Sequence, residues 1–311
     1  MNVTVLERVQ RHASLGLRFW DTAAASSSID GLEVDVFPRA RPQARTRASV
    51  NRSGVYVAQA VAGLYDRAGS PNSARELFEF SDADPAELWS VATRPYRVEV
   101  QDPLERYLPV AFDADLPVRG LYTWRARWFS PPRAISLPGE AGSPPQLMIE
   151  RIPLFSAPQR PLPEPLAVVY AQLRESGADR AAAWALVSAS IDGEVRGLGL
   201  ADGEGRVAVM FPYPEPPRIA LSSPPAARND FRWHVELEAF YHVGSAQVAP
   251  PEIPDLGLVL SQLDMPRELL GSTLSPALPL SALPLEYRVP LSARTEATPA
   301  GPSSFLFVST A

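Results

Sequence analysis

The stretch Phe231-Arg-Trp-His-Val-Glu-Leu-Glu-Ala-Phe-Tyr-His-Val243 decides the fold class, because its polarity alternates residue by residue. The odd positions from Trp233 to Val243 are apolar, whereas most even positions carry Arg, His or Glu. Successive side chains of a strand point to opposite faces, so this pattern predicts a strand with one buried face and one solvated face. Such strands are typical of antiparallel β-proteins.

Shorter segments of the same kind recur along the chain between Gly, Pro, Asn and Asp residues. They are Leu32–Phe37, Val55–Val61, Arg97–Val100, Tyr107–Phe112 and Val207–Phe211. Several short strands separated by turn residues predict an all-β fold of antiparallel sheets packed as sandwiches. Two short inserted helices, Ser73–Phe80 and Pro85–Ala92, are also predicted, because each begins with a capping side chain three residues before a Glu.

Proline divides the chain into domains. Residues 131–165 hold ten prolines and predict a Pro-rich linker between a first domain, residues 1–130, and a second domain, residues 166–250. Polyproline-like segments are semi-rigid, so we expect this linker to hold the two domains apart at a limited range of angles. Residues 251–311 are rich in Pro and Leu and predict an extended C-terminal arm. Because that much leucine is unfavourable in water, we expect the arm to pack on its own domain or on a neighbouring subunit.

A weak internal repeat links the two domains. Asn51-x-x-Gly54 precedes a predicted strand in the first domain, and Asp202-x-x-Gly205 precedes one in the second. The first residue of such a motif can bond its own main chain two residues on, and the glycine takes a positive φ. These four residues therefore predict two equivalent tight turns in two copies of one sandwich.

The composition removes most catalytic chemistries. The chain has no Cys, and all 29 of its basic residues are Arg because Lys is absent. This excludes thiol nucleophiles, thiolate metal sites, Schiff-base lysines and the P-loop lysine. His234, Glu236, Glu238 and His242 share a strand face, but same-face neighbours along a strand are about 7 Å apart, so a solvated face is favoured over a metal site. We predict no enzyme activity, no catalytic residue, no metal and no cofactor.

Charge and hydropathy bear on partners and location. The formal net charge is −6, which disfavours a general nucleic-acid-binding role. No window of 18 apolar residues occurs, so no membrane insertion is expected. The N-terminal segment carries Glu7, Arg8 and Arg11 where a secretory signal would be apolar, so we expect a cytoplasmic protein.

One segment combines the residue types that dominate protein interfaces. Leu121–Phe129 is predicted as a strand and contains Tyr122, Trp124, Arg125, Arg127 and Trp128. Because Trp, Tyr and Arg are enriched at interface hot spots, we expect these five residues to form a subunit contact. The alternatives are that the aromatic residues belong to an ordinary core, or that Tyr122, Trp124 and Trp128 form a platform for a sugar.

Several quoted motifs resemble known families. The Asp-x-x-Gly turn followed by a strand resembles the hairpin of carboxypeptidase-regulatory-like and transthyretin-like domains, which implies two Ig-like sandwiches. The stretches Val98–Pro109, Pro153–Pro158, Ala182–Leu186, Gly197–Val207 and Phe211–Pro214 resemble proteins of contractile, phage-tail-like injection systems. This second resemblance spans roughly residues 15 to 215 and does not include the C-terminal hundred residues.

The resemblance implies a structural role in such a particle. The component it implies is the cap adaptor, which joins the terminal cap to the tube and sheath and would assemble as a sixfold ring of identical subunits. The partners would be cap, sheath and tube proteins, and the protein would act within the assembled particle in the cytoplasm. The alternative function is a carbohydrate-binding or ligand-binding accessory module.

Overall fold

The computed structural model describes residues 13–23, 29–64, 93–118, 120–125, 148–149, 151–178, 180–214, 232–242 and 252–310. The fold is all-β, as predicted, and is built from sandwiched sheets. The two predicted helices, Ser73–Phe80 and Pro85–Ala92, lie outside the described residues.

The first domain packs two four-stranded sheets. One sheet has the order β10-β1-β5-β4, and its strands are β1 (Ala13–Asp21), β4 (Ser49–Val50), β5 (Val55–Gln59) and β10 (Ile152–Leu154). The other has the order β3-β2-β6-β7, with β2 (Glu33–Pro38), β3 (Thr46–Arg47), β6 (Arg94–Gln101) and β7 (Val110–Leu116). A separate two-stranded ladder joins β8 (Trp124–Arg125) to β9 (Met148–Ile149).

Every second side chain along β1 and β2 points into the core of this domain. Along β1, Leu15, Leu17 and Phe19 are at most 1% exposed, and along β2, Val34 and Val36 are fully buried. These side chains belong to one continuous apolar cluster between the two sheets.

The second domain also packs two sheets. The first comprises β11 (Leu166–Glu175), β14 (Arg206–Pro212), β17 (Leu269–Ser272), β18 (Leu278–Pro279), β20 (Leu291–Ser292) and β21 (Leu306–Val308). The second comprises β12 (Leu186–Ile191), β13 (Glu194–Leu200), β15 (Arg232–Phe240), β16 (Pro266–Arg267) and β19 (Leu283–Glu286). One helix, α1 (Leu256–Ser261), continues into a 3-10 turn, Gln262–Asp264.

The two domains share a strand topology. In the first, β1 pairs with β5 antiparallel and with β10 parallel, while β2 pairs with β3 and β6. In the second, β11 pairs with β14 antiparallel and with β21 parallel, while β12 pairs with β13 and β15. Each domain is therefore completed by a strand that arrives late in the chain and lies parallel to its first strand.

The structure refines the segments between and after the domains. Residues 152–154, within the Pro-rich linker predicted for 131–165, form β10 and complete the first domain. Residues 251–311, predicted as an extended arm, supply α1 and β16 to β21, and three of their buried leucines, Leu269, Leu285 and Leu306, enter the core of the second domain. This is the packing on its own domain that their leucine content predicts.

Candidate functional site

Only part of the predicted interface segment lies among the described residues. The Tyr122 ring stacks on Phe112, with 5.3 Å between ring centroids, and its hydroxyl donates a hydrogen bond to the main-chain oxygen of Asp113 at 3.1 Å. Burial raises the pKa of Tyr122 to about 12. Tyr122 thus packs on Phe112 of its own domain and is half-buried.

The other members of that segment are divided. Trp124 and Arg125 form β8, whereas Arg127 and Trp128 lie outside the described residues. The contact predicted for these four residues therefore stays a prediction.

The structure places the four predicted turn residues in two equivalent turns. In each, a side-chain oxygen of Asn51 or Asp202 accepts the main-chain N–H groups two and four residues further on, at 2.9–3.0 Å. Gly54 has φ 70° and Gly205 has φ 78°, so the fourth position needs the left-handed region in both turns. These residues shape the sandwiches rather than a binding site.

A third turn of the same kind begins at Asp102. Its carboxylate accepts the main-chain N–H of Leu104 at 3.2 Å and of Arg106 at 2.8 Å, and the fourth residue, Glu105, has φ 53°. Burial opposes ionisation of Asp102, but the hydrogen bonds and charge of Arg106 outweigh it and lower the pKa. This turn could not be recognised from the Asp-x-x-Gly motif, because its fourth residue is Glu105 instead of Gly. The spacing of Asp102 and Arg106 nevertheless matches that of Asp202 and Arg206.

A buried ionic cluster lies at the end of β1. Asp21, 2% exposed, accepts two hydrogen bonds from Arg160 at 2.7 and 3.1 Å and one from the Tyr107 hydroxyl at 3.1 Å. The guanidinium of Arg160 also lies 4.9 Å from the Tyr107 ring centroid. Burial and the neighbouring Asp21 raise the pKa of Tyr107 to about 12. Because Arg160 follows β10, the cluster ties the segment after β10 to the first strand of the domain.

The second domain repeats this arrangement. Glu175 ends β11 as Asp21 ends β1, and it is 1% exposed. It accepts a hydrogen bond from the Tyr241 hydroxyl at 2.7 Å and pairs with Arg180 at 2.6 Å. A buried carboxylate that accepts a hydrogen bond from a Tyr hydroxyl therefore ends the first strand of both domains, which supports the internal repeat, whereas the arginines follow different strands, β10 and β11.

The two domains contact each other through α1. Leu256, Val259 and Leu260 are at most 7% exposed and belong to the apolar cluster of the first domain. The same cluster includes side chains of the second domain, namely Leu186, Leu198 and Leu200. The prediction that the linker holds the domains apart is therefore wrong, because a helix between β15 and β16 of the second domain packs into an apolar cluster that both domains share. We call α1 and the 3-10 turn the joint helix.

Polar contacts fix the joint helix to the first domain. The Asp255 carboxylate caps the helix by accepting the main-chain N–H groups of Gly257 and Leu258 at 2.9 and 3.2 Å. It also forms an ion pair with Arg97 of β6, and the main-chain N–H of Ala111 donates to Pro254 at 3.0 Å. The first turn of the helix is thus bound to β6 and β7.

The other end of the joint helix is bound to the second domain. The side-chain amide of Gln262 donates to the main-chain oxygen of Trp184 at 2.8 Å and accepts the main-chain N–H of His242 at 3.0 Å. Gln262 is 7% exposed, so these hydrogen bonds are protected from water. One buried amide therefore links the helix to two loops of the second sandwich.

The charged face of the first domain is internally paired. Arg47 contacts Asp35 at 2.7 Å and Glu33 at 3.1 Å, and Arg45 contacts Glu99 at 2.6 Å. Both arginines are about half exposed, so each pair contributes little stability. These arginines are therefore neutralised by neighbouring carboxylates and do not form a basic patch on this face.

The remaining sequence features have structural explanations. His234, Glu236 and Glu238 lie exposed along β15, and the described residues contain no group of three or more His, Asp or Glu side chains that could hold a metal ion. A Cβ at Gly197 or Gly199 would lie 3.0 Å from main-chain oxygens of β14, so these glycines let the two sheets of the second domain approach closely.

No described helix is both long and apolar enough to cross a membrane. No protein-family model matches the chain, and no curated protein or solved structure matches it either.

Proposed function

We propose that the chain is a non-enzymatic structural component that holds protein-binding surfaces at fixed relative positions within a larger assembly. The observation that supports this is the joint helix, which is bound to both sandwiches. Burying each of its three apolar side chains contributes about 1.5–3 kcal/mol. A joint of that strength favours a stiff two-domain body over two modules on a flexible tether.

The resemblance of the quoted motifs makes a contractile, phage-tail-like particle the first assembly to test. We propose the cap adaptor as the component, with cap, sheath and tube proteins as partners and a sixfold ring as the arrangement. Tyr122 is already packed against Phe112, so we do not favour the sugar-binding alternative.

The test mixes the purified chain with the proteins encoded beside its gene and follows the products by light scattering and electron microscopy. We expect the chain to enter a large assembly, and we expect Leu256→Ala in the joint helix to reduce that incorporation. The matched control is Leu258→Ala, which changes an exposed residue of the same helix. A chain that stays separate in every mixture, or equal incorporation of the two variants, contradicts the proposal.

A further inference from the structure

A four-residue turn precedes the second strand of each domain. In the first domain, residues 29–32 lead into β2, and the Tyr56 hydroxyl bridges the main-chain oxygen of the first turn residue and the main-chain N–H of the last, at 3.2 and 3.1 Å. In the second domain, residues 182–185 lead into β12, and the N–H of the last residue donates directly to the oxygen of the first at 3.4 Å. Because β2 and β12 have equivalent neighbours in the two sheets, these turns occupy equivalent places in the repeat.

The third residue of both turns has a positive φ. Gly31 has φ 73° and Trp184 has φ 60°. Glycine adopts this region easily because it has no Cβ, whereas a bulky residue is strained there. The first domain therefore shows which residue suits the turn itself. The second domain has the largest side chain at this position, so contacts outside the turn must hold it in its strained conformation.

Those contacts lie at the joint between the domains. The side chain of Trp184 is half-buried and packs against the apolar cluster to which both domains and the joint helix contribute. Its main-chain oxygen accepts a hydrogen bond from the side-chain amide of Gln262 in the joint helix, at 2.8 Å. The indole N–H is buried and donates to no acceptor among the described residues, so the ring contributes by packing. Gly31, by contrast, is exposed.

We propose that Trp184 fixes the angle between the two domains. The joint helix holds the strained main chain of Trp184, and the ring fills the space in which one sandwich would otherwise tilt against the other. A residue that only shaped its turn could be replaced by glycine with no effect outside the second domain. If Trp184 fixes the angle, the same replacement relieves the turn but loosens the arrangement of the domains. This inference rests on the joint from which the proposed function is argued.

The distance between the domains tests the inference in the full chain. Because the chain has no Cys, Leu104→Cys in the first domain and Val195→Cys in the second can each carry one spin label, and both positions are exposed. Pulsed electron paramagnetic resonance then gives the distribution of distances between the labels. We expect one narrow distribution when Trp184 is present and a distribution about twice as wide in Trp184→Gly. Trp184→Phe, which keeps an aromatic ring, should retain the narrow distribution.

The matched control is Asp192→Gly. Asp192 also has a positive φ, 53°, but it lies exposed in the turn between β12 and β13. Both glycine variants relieve main-chain strain in the second domain, whereas only Trp184→Gly removes a side chain from the joint. Trp184→Asn is a second variant without a ring, since Asn tolerates the left-handed region, and it should broaden the distribution in the same way. Circular dichroism identifies the variants that are folded.

Two results would overturn the inference. One is a distribution in a folded Trp184→Gly or Trp184→Asn that is no wider than that of Asp192→Gly. The other is a distribution in Trp184→Phe as wide as in the variants without a ring. The proposed function would stand after either result, because it depends on the joint helix, which Leu256→Ala tests separately.

Discussion

The joint helix allows a sharp test, because two of its leucines differ in burial. Leu256 is fully buried between the domains, whereas Leu258 is 71% exposed. Buried Leu→Ala substitutions cost about 2–5 kcal/mol, since they lose transfer free energy and leave a cavity. The same change at an exposed position alters stability by about 0.5 kcal/mol or less. We therefore expect Leu256→Ala to lower the free energy of unfolding by about 3 kcal/mol more than Leu258→Ala.

Urea unfolding followed by tryptophan fluorescence and circular dichroism measures this difference. Because one apolar cluster spans both domains, we expect the wild-type chain to unfold in a single transition and Leu256→Ala to separate the two probes. Small-angle scattering of the folded variants should show a larger radius of gyration for Leu256→Ala only. Equal midpoints and equal radii for the two variants would refute the assignment of the helix as a joint.

Three further predictions concern the turns and the buried cluster. Gly205→Ala should lower the free energy of unfolding, measured in urea, by about 1–3 kcal/mol more than Gly193→Ala does. Both glycines have φ near 78°, but only at Gly205 would a Cβ overlap the main-chain oxygen of Leu173. Similar losses of stability in the two variants would contradict this. Burial raises the folded-state pKa of Tyr107 to about 12, so its contribution to the free energy of unfolding, about 2 kcal/mol, should be lost as pH rises from about 10 to 12. Tyr107→Phe should therefore flatten the plot of unfolding free energy against pH in that range. Asp102 has a lowered folded-state pKa, so its contribution to folding stability is complete above about pH 4 and is lost as pH falls through the lowered value. Asp102→Asn should therefore reduce the slope of the unfolding free energy against pH in that acidic range. An unchanged slope would contradict this prediction.

Strands with strict alternation could be predicted from the sequence. Phe231–Val243 corresponds to β15 and Leu32–Phe37 to β2, because in each the polarity period is two. Tyr107–Phe112 was predicted less well, since β7 begins only at Val110. Tyr107 is instead held by the buried Asp21, a residue 86 positions away, and no local pattern reports such a contact.

The strands after residue 251 lacked a usable pattern. Most are only two to four residues long, and their partners lie far away in sequence, as in the parallel pairing of β21 with β11. Composition correctly indicated that the leucines must be covered, but composition does not specify register.

The joint helix could not be predicted from the sequence either. Asp255 followed by Leu256-Gly-Leu-Val-Leu260 is consistent with a capped apolar turn, yet six residues are too few for a clear helical period. Its decisive contact, between Arg97 and Asp255, spans 158 positions. The candidate site was therefore beyond sequence reasoning, whereas the turns at Asn51 and Asp202 were within it because their chemistry is local.

The repeat and the joint helix together describe how the two domains are connected. Each sandwich is completed only by a later strand, β10 or β21, lying parallel to its first strand. The buried carboxylates of Asp21 and Glu175 mark the ends of those first strands. Because the joint helix leaves the second domain, contacts the first and returns, neither domain's packing is independent of the other. Contacts between segments far apart in sequence, such as these, favour a rigid shape. A rigid shape is the property that the proposed structural component requires.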